Sequence, residues 1–254
     1  MSSTLSKNLA KLIKSLDSKK GRTKHGLFLA EGSKLVSEML QSKFELHTLI
    51  CTKDDVDKFN IAEKKLIVDT SENIKKVSLQ KTPQNTLAVF KIPEQTDNPK
   101  VNTHSLNVCL DGVQDPGNIG TIVRTCSWYN IKNVICSKDT VDIYNPKAIQ
   151  ASMGGLRNVE VHYTDLHHFL SQHKNMGLPI ITTQMEGEAI YSTKLPKSAF
   201  LVLGNEGRGV SEEVVYISDT KIAIPSFHGN IGTESLNVSI ANAVFCHEYR
   251  RNNK

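Results

Sequence analysis

Gly232-Thr233-Glu234-Ser235-Leu236-Asn237-Val238-Ser239-Ile240-Ala241-Asn242-Ala243-Val244 follows a strand-like run that ends in Ile224-Pro225. Its apolar residues Leu236, Ile240, Ala243 and Val244 recur at helical spacing. Ser235 stands at the expected N-cap, and Asn237 falls in the first turn, facing the same mouth. A capped core helix would explain the apolar stripe. It does not explain why Ser235 and Asn237 bracket Leu236 directly after a strand end.

Two upstream segments share this character. In Leu201–Gly209 an apolar strand, Ala199–Leu203, runs into Gly204-Asn205-Glu206-Gly207-Arg208-Gly209. Three glycines within six residues permit close main-chain approach to a ligand, and equally permit a flexible loop. Ser211 can cap the next helix, with Glu212 and Glu213 complementing its dipole. In Asp111–Arg124, Asp115-Pro116-Gly117 signals a turn, Asn118 can cap the helix that follows, and Arg124 lies six residues further on. An Arg on an exposed helix face is the plain alternative. Asn130 suits a left-handed turn after that helix. Such strand-to-helix turns aim main-chain N–H groups and short polar side chains at a ligand.

The second half alternates strands with helices. Strands are expected at Leu106–Leu110, Asn133–Ser137, Val159–Tyr163, Pro179–Thr183, Ala199–Leu203 and Lys221–Ile224. Helices are expected at Ile119–Tyr129, Pro146–Ser152, Asp165–Lys174, Ser211–Tyr216 and Leu236–Tyr249. This pattern predicts a parallel sheet covered on both faces, with ligands at the carboxyl ends of its strands. All three polar segments lie at those ends or just beyond. The first half reads as a smaller α/β domain, with helices at Leu5–Leu16, Gly32–Gln41 and Ser71–Ser78 and strands at Leu27–Ala30, Leu46–Cys51, Leu66–Val68 and Thr86–Lys91. Pro93–Asn102, polar and with two prolines, is the expected linker. The domain division is therefore 1–92, a linker at 93–102, and 103–254.

The 254 residues suffice for two domains, and no apolar run approaches the roughly 20 residues of a membrane helix. The first helix is amphipathic, though its Lys-rich pattern also fits an organellar presequence. Five widely spaced cysteines without a CxxC pair suit buried free thiols and a cytoplasmic setting, and count against zinc. Residues 1–100 carry 18 Lys+Arg against 12 Asp+Glu, whereas the remainder carries 13 against 14. That asymmetry fits phosphate contact by the first half, or a solvated Lys-rich surface. His162, His167, His168 and His173 surround one helix without a completing carboxylate or Cys, so an exposed His-bearing helix is expected and no metal. Trp128 and Tyr129 suit core or dimer packing, or stacking on a base. No GxxxxGK[ST] is present and no GxGxxG follows Leu110, which counts against ATP and against a nicotinamide oxidoreductase.

Together, in this order, the three segments resemble the motifs of the SpoU/TrmH family of RNA ribose 2′-O-methyltransferases, within the SPOUT superfamily. The resemblance extends to Arg22…Gly26-Leu27-Phe28-Leu29-Ala30-Glu31-Gly32, which looks like the start of the family's substrate-binding domain, itself similar to a ribosomal RNA-binding protein. It implies an α/β fold with a C-terminal trefoil-knotted parallel-sheet domain, S-adenosyl-L-methionine as methyl donor, and a homodimer. Carried over by motif, it implies that Asn118 and Arg124 act on the target ribose and its phosphate. Glu206 would orient its loop or Arg124, and Ser235 and Asn237 would complete the site where RNA meets cofactor. Leu203, Gly204, Asn205, Ile224, Pro225 and Leu236 would surround the cofactor, with main-chain groups of Gly204, Ile224 and Leu236 on its adenosine. The loop from Pro225 to Ser235 is about three residues longer than is usual in the family. The family assigns Arg124 as base, but a guanidinium is normally charged, and a phosphate and alkoxide clamp is the alternative. Ribosomal RNA is the expected substrate and transfer RNA the alternative. A non-catalytic RNA-binding or assembly protein is the rival of another class.

Overall fold

A computed structural model describes residues 4–94, 96, 99–227 and 235–253. Gly232, Thr233, Glu234, much of the loop after Pro225, and Gln95, Asp97 and Asn98 of the expected linker lie outside the described residues. The chain divides into two units: residues 1–94 with Asp142–Arg157, and residues 95–141 with 158–254.

In the first unit, helices α1 (Lys7–Ser15) and α2 (Lys19–His25) precede β1 (Leu27–Glu31). Then come α3 (Ser33–Leu40), β2 (Leu46–Cys51), β3 (Leu66–Val68), α4 (Ser71–Val77) and β4 (Thr86–Lys91). Ser6, Ser18 and Thr70 cap α1, α2 and α4 through their hydroxyls. The sheet order is β1-β4-β2-β3, antiparallel except for the parallel β2–β3 pair. Strand residues alternate between two faces. Leu27, Leu29, Leu87 and Val89 pack with Ile13, Leu16 and Ile74 on one of them. On the other, Phe28 contacts Phe44, Phe90 and Tyr144, with ring centroids 4.9–5.6 Å apart.

Tyr144 belongs to Asp142–Arg157, a segment that a division along the chain alone places in the second domain. A buried ion pair anchors it. Arg22 Nη2 lies 2.7 Å from Asp142 Oδ2, and Arg22 Nε donates to the same oxygen at 2.9 Å. Arg22 Nη1 donates to the carbonyls of Leu16 and Asp17. Asp142 Oδ1 accepts from Tyr144 N.

The second unit holds β5 (Leu106–Asp111), α5 (Pro116–Trp128), β6 (Asn133–Ser137), β7 (Glu160–Thr164), α7 (Leu166–Lys174), β8 (Ile180–Ala189), β9 (Ala199–Gly204), α8 (Glu212–Ile217), β10 (Thr220–Ala223) and α9 (Val238–Asn252). The remaining helix, α6 (Pro146–Ser152), sits in the segment assigned to the first unit. The sheet order is β10-β8-β9-β5-β6-β7 and every pair is parallel. Helices α7 and α8 cover one face, where Phe169, Leu170 and Val214 meet Cys109, Ile135, Phe200 and Val202.

Most strands lie within a residue or two of the expected positions. Strand β8 does not: it continues to Ala189 through an irregularity. Lys221 pairs with Thr182 and Ile222 with Glu188, so Thr183–Gly187 is extruded between them. Gly187 is required there, because a Cβ would come within 2.5–2.8 Å of the Ile222 main chain. The last helix also differs. Leu236, Ile240 and Val244 are 49%, 53% and 37% exposed, and α9 buries Val238, Phe245, Cys246 and Tyr249 instead. Trp128, expected in a core or interface, is 84% exposed in the single chain. His173 leaves the expected exposed His surface, packing against Phe169 and Phe200 and bonding Phe169 O. Asn130 is left-handed, at φ 53°. All five cysteines are buried and free, and burial pushes the Cys51 thiol up to about 11. Among the described residues no helix is long and apolar enough to cross a membrane, and no cluster of His, Cys, Asp and Glu could hold a metal.

Arg22 is 2% exposed, so its removal strands the Asp142 carboxylate. Arg22→Ala is expected to destabilise the first unit by about 3 kcal/mol, read as a lowered urea midpoint. Arg22→Lys, which cannot span three acceptors, should lose most of the same amount; full stability in Arg22→Ala would overturn this account.

Candidate active site

The carboxyl ends of β5, β9 and β10 carry the three polar segments. Asp111 pairs with Gly204 at the ends of β5 and β9, which fixes the α5 loop beside the Gly204–Gly209 loop. The cap of α5 is Asp115 rather than Asn118: its side chain accepts from Asn118 N at 2.9 Å, and Pro116 opens the helix. The Asn118 side chain is therefore free for another use. Likewise Asn237, not Ser235, caps α9, its Oδ1 accepting from Ser239 N and Ile240 N.

The freed amide of Asn118 joins the three segments. Asn118 Nδ2 donates to Glu206 Oε1 at 2.9 Å, and Asn118 Oδ1 accepts from Asn237 Nδ2 at 3.0 Å. The polarity of this relay is set independently at both ends. A carboxylate only accepts, so Glu206 requires the Asn118 NH₂ to face it. A helix N-cap must accept, so α9 requires Asn237 Oδ1 and turns its NH₂ toward Asn118. Glu206 Oε2 also receives Gln114 N at 3.4 Å. Glu206 thus orients Asn118 and the Gln114 loop, not Arg124. Arg124 is exposed on α5, and its side chain forms no ion pair or hydrogen bond with the described residues.

The other expected residues divide by what they still offer. Asn205 is spent within the protein. Its Nδ2 donates to Gly112 O at 2.7 Å, its Oδ1 accepts from Gly207 N and Arg208 N, and its main chain bridges Gly209. Gly204 has no room for a Cβ, which would lie 2.0–2.3 Å from Gly209 and Val210 main-chain atoms. Leu203 is buried in β9, and Pro225 is half-buried and has no N–H to offer. Ile224 and Leu236 make no main-chain hydrogen bond with the described residues. Ser235 is exposed. Ser211 precedes α8 without capping it through its hydroxyl, and its N–H donates to Asp111 Oδ2.

Two features escaped the sequence reading. Gln114 ties loops together through its side chain, donating to Asp139 O and Gly112 O. The extruded Thr183–Met185 lines, with Arg208–Val210 and Tyr216, a groove of about 710 Å³, a size that admits a nucleoside-like molecule. Neither has a local signal, since single polar residues in loops carry no periodicity.

Comparison with known proteins gives this geometry its context. The first half matches the MRM3-like substrate binding domain over residues 7–88. The chain is 30% identical over 240 residues to the 23S rRNA (guanosine(2553)-2′-O)-methyltransferase RlmP of Bacillus subtilis, covering 93% of this chain and 94% of that protein. It is similar in structure to a TrmH-family protein from Porphyromonas gingivalis, at 36% identity and a TM-score of 0.88, covering 98% and 99% of the two chains. An AdoMet-bound rRNA methyltransferase from Sinorhizobium meliloti superposes with a TM-score of 0.85 at 26% identity, covering 99% and 97%. The model of the SpoU rRNA methylase family matches residues 105–247, the stretch that contains β5, the amide relay and most of α9, and the protein belongs to that family.

Proposed function

We propose that this protein transfers a methyl group from S-adenosylmethionine to a ribose 2′-hydroxyl of ribosomal RNA. The observation that carries the reading is the Asn237–Asn118–Glu206 relay, which draws the three loops into one site while Arg124 has no side-chain partner among the described residues. The full-length similarity to the B. subtilis enzyme supports ribosomal over transfer RNA. The Lys-rich first unit, matched to a substrate-binding domain, is assigned to RNA binding. The main-chain groups of Ile224 and Leu236, which no described residue bonds, and the tight approach at Gly204 fit the adenosine of the methyl donor. Five unpaired buried thiols support a reducing, cytoplasmic setting. Family membership also brings the expectation of a trefoil knot.

S-adenosylmethionine supplies an electrophilic methyl group when bound. The protein's own task is alignment and charge. A ribose hydroxyl is a weak nucleophile, and holding it in line contributes up to about 7–11 kcal/mol in ideal cases. Arg124 acts as a charged clamp on the target phosphate and the developing alkoxide, which eases loss of the hydroxyl proton to solvent. The relay keeps α5, and with it Arg124, in register with the loop after β9 and the start of α9.

The protein is further proposed to be a homodimer. Leu236, just before α9, and Ile240 and Val244 on it form an exposed apolar stripe, unusual on a monomer's surface and self-complementary in a two-fold interface.

Mapping ribose methylation in ribosomal RNA from cells with and without the protein tests the substrate; an unchanged map would sink it. Arg124→Ala and Arg124→Lys should each slow single-turnover transfer by about 100-fold or more, with little change in cofactor affinity by calorimetry. Near wild-type turnover in Arg124→Lys would return Arg124 to an ordinary surface cation. Asn237→Asp separates capping from the relay. Asp caps as well as Asn, so stability should hold within about 1 kcal/mol, yet the donor to Asn118 is gone and transfer should fall at least tenfold. Val244→Glu should give monomers by light scattering, because a carboxylate buried without a partner is costly; a monomeric wild type at micromolar concentration would refute the dimer.

A further inference from the structure

Gln114 is exposed, yet both its side-chain donor contacts are to main-chain carbonyls, one in its own loop and one in the turn after β6. Its Nε2 reaches Asp139 O at 2.7 Å and Gly112 O at 3.2 Å. The side-chain entropy lost in immobilising a glutamine is of the same order as what two exposed hydrogen bonds return. Fold stability is therefore a poor explanation for the arrangement.

The surrounding bonds show what the side chain holds still. Gly112, at φ 74°, donates its N–H to Ser137 Oγ at 2.9 Å and Thr140 Oγ1 at 3.2 Å. Val141 N donates to Val113 O at 2.9 Å. Ser137 Oγ donates to Asp139 Oδ1 at 2.6 Å, so the turn after β6 is itself ordered. Gly112 O also receives Asn205 Nδ2, which ties the same point to the loop that carries Glu206. Gln114 is the last residue of this lattice before the helix. Its own N–H is the second donor to the Glu206 carboxylate, after Asn118.

We propose that Gln114 is a positioning residue for methyl transfer. Its amide pins the main chain at residue 114 so that the N–H there keeps Glu206 turned toward Asn118. At 3.4 Å that N–H contact lies beyond the usual range of 2.7–3.2 Å. It steers the carboxylate, and such contacts tighten only in the substrate complex. A loop free to drift by a few tenths of an ångström would lose it. The inference rests on the transferase reading above and adds a residue to it.

Shape and donor capacity can be separated. Gln114→Glu keeps the shape but presents only acceptors to two carbonyls. Gln114→Lys changes the shape but keeps donors. The assay is single-turnover transfer from radiolabelled S-adenosylmethionine to large-subunit ribosomal RNA prepared from cells lacking the protein, with KM for RNA and the melting temperature measured alongside. Gln114→Ala and Gln114→Glu should lower the rate constant about tenfold, with KM for RNA within twofold and the melting temperature unchanged. Gln114→Lys should recover at least a third of the wild-type rate. A wild-type rate in Gln114→Glu, or a loss confined to KM, would overturn the positioning role. A wild type that transfers no methyl group while still binding the donor would overturn the transferase reading itself, and the positioning role with it.

Discussion

The site depends on one side chain serving two acceptor–donor demands at once. Asn237 must present its carbonyl oxygen to the first turn of α9 and its NH₂ to Asn118. Both demands are met by a single amide orientation, and Glu206 enforces the same polarity from the other end. Reverse any one amide and two donors face each other. Nothing in the relay is buried deeply enough to be strong alone, and each such bond contributes about 1 kcal/mol at most. Its precision comes from beneath, from buried parallel strands whose register places Asp111 beside Gly204. A slip by one residue would turn every strand side chain to the opposite face, so the hydrophobic core excludes the alternatives that the relay could not resist.

Arginine shows how far composition falls short of role. Arg22 and Arg124 are the first two arginines in a Lys-rich chain. Arg22 is buried, its guanidinium divided among Leu16 O, Asp17 O and Asp142. Arg124 is exposed with no partner among the described residues. The planar fork suits both: three fixed acceptors in the one case, and in the other the phosphate proposed above. The family resemblance places Arg22 at the head of a substrate-binding domain. The fold uses it to hold Asp142–Arg157 in the first unit.

What was legible follows from where the physics is local. Short apolar runs bounded by polar or turn residues mark strands whatever their pairing direction, so β2, β3, β4 and β6 match expectation at both ends. Caps were misassigned because Asp115 and Asn118, and Ser235 and Asn237, are equally good capping types a few residues apart; which one caps decides which one is free for chemistry. The stripe on α9 was visible as periodicity, but periodicity says that an apolar face exists, not what covers it. Helix α2, Lys19–His25, has no apolar repeat at all, and stands on the Ser18 cap and the tertiary bonds of Arg22. The extrusion at Thr183–Gly187 depends on the neighbouring strand, which no local pattern contains.

The weakness of the relay has a chemical use. Glu206 and Asn237 are exposed, and hydrogen bonds between exposed groups compete with water. A bound RNA and methyl donor would displace that water and lower the local dielectric, and the same contacts would then strengthen without any change of partner. The site is consequently assembled in the free protein but reaches full rigidity only when occupied. That is the condition under which alignment favours the transition state over the ground state, because the added interaction energy appears only in the closed complex. An arrangement held tightly in the free protein would need buried polar loops, and their unsatisfied groups would cost more than the relay returns. Exposed polar contacts on a buried sheet avoid that penalty, and they leave Arg124 accessible for its proposed role.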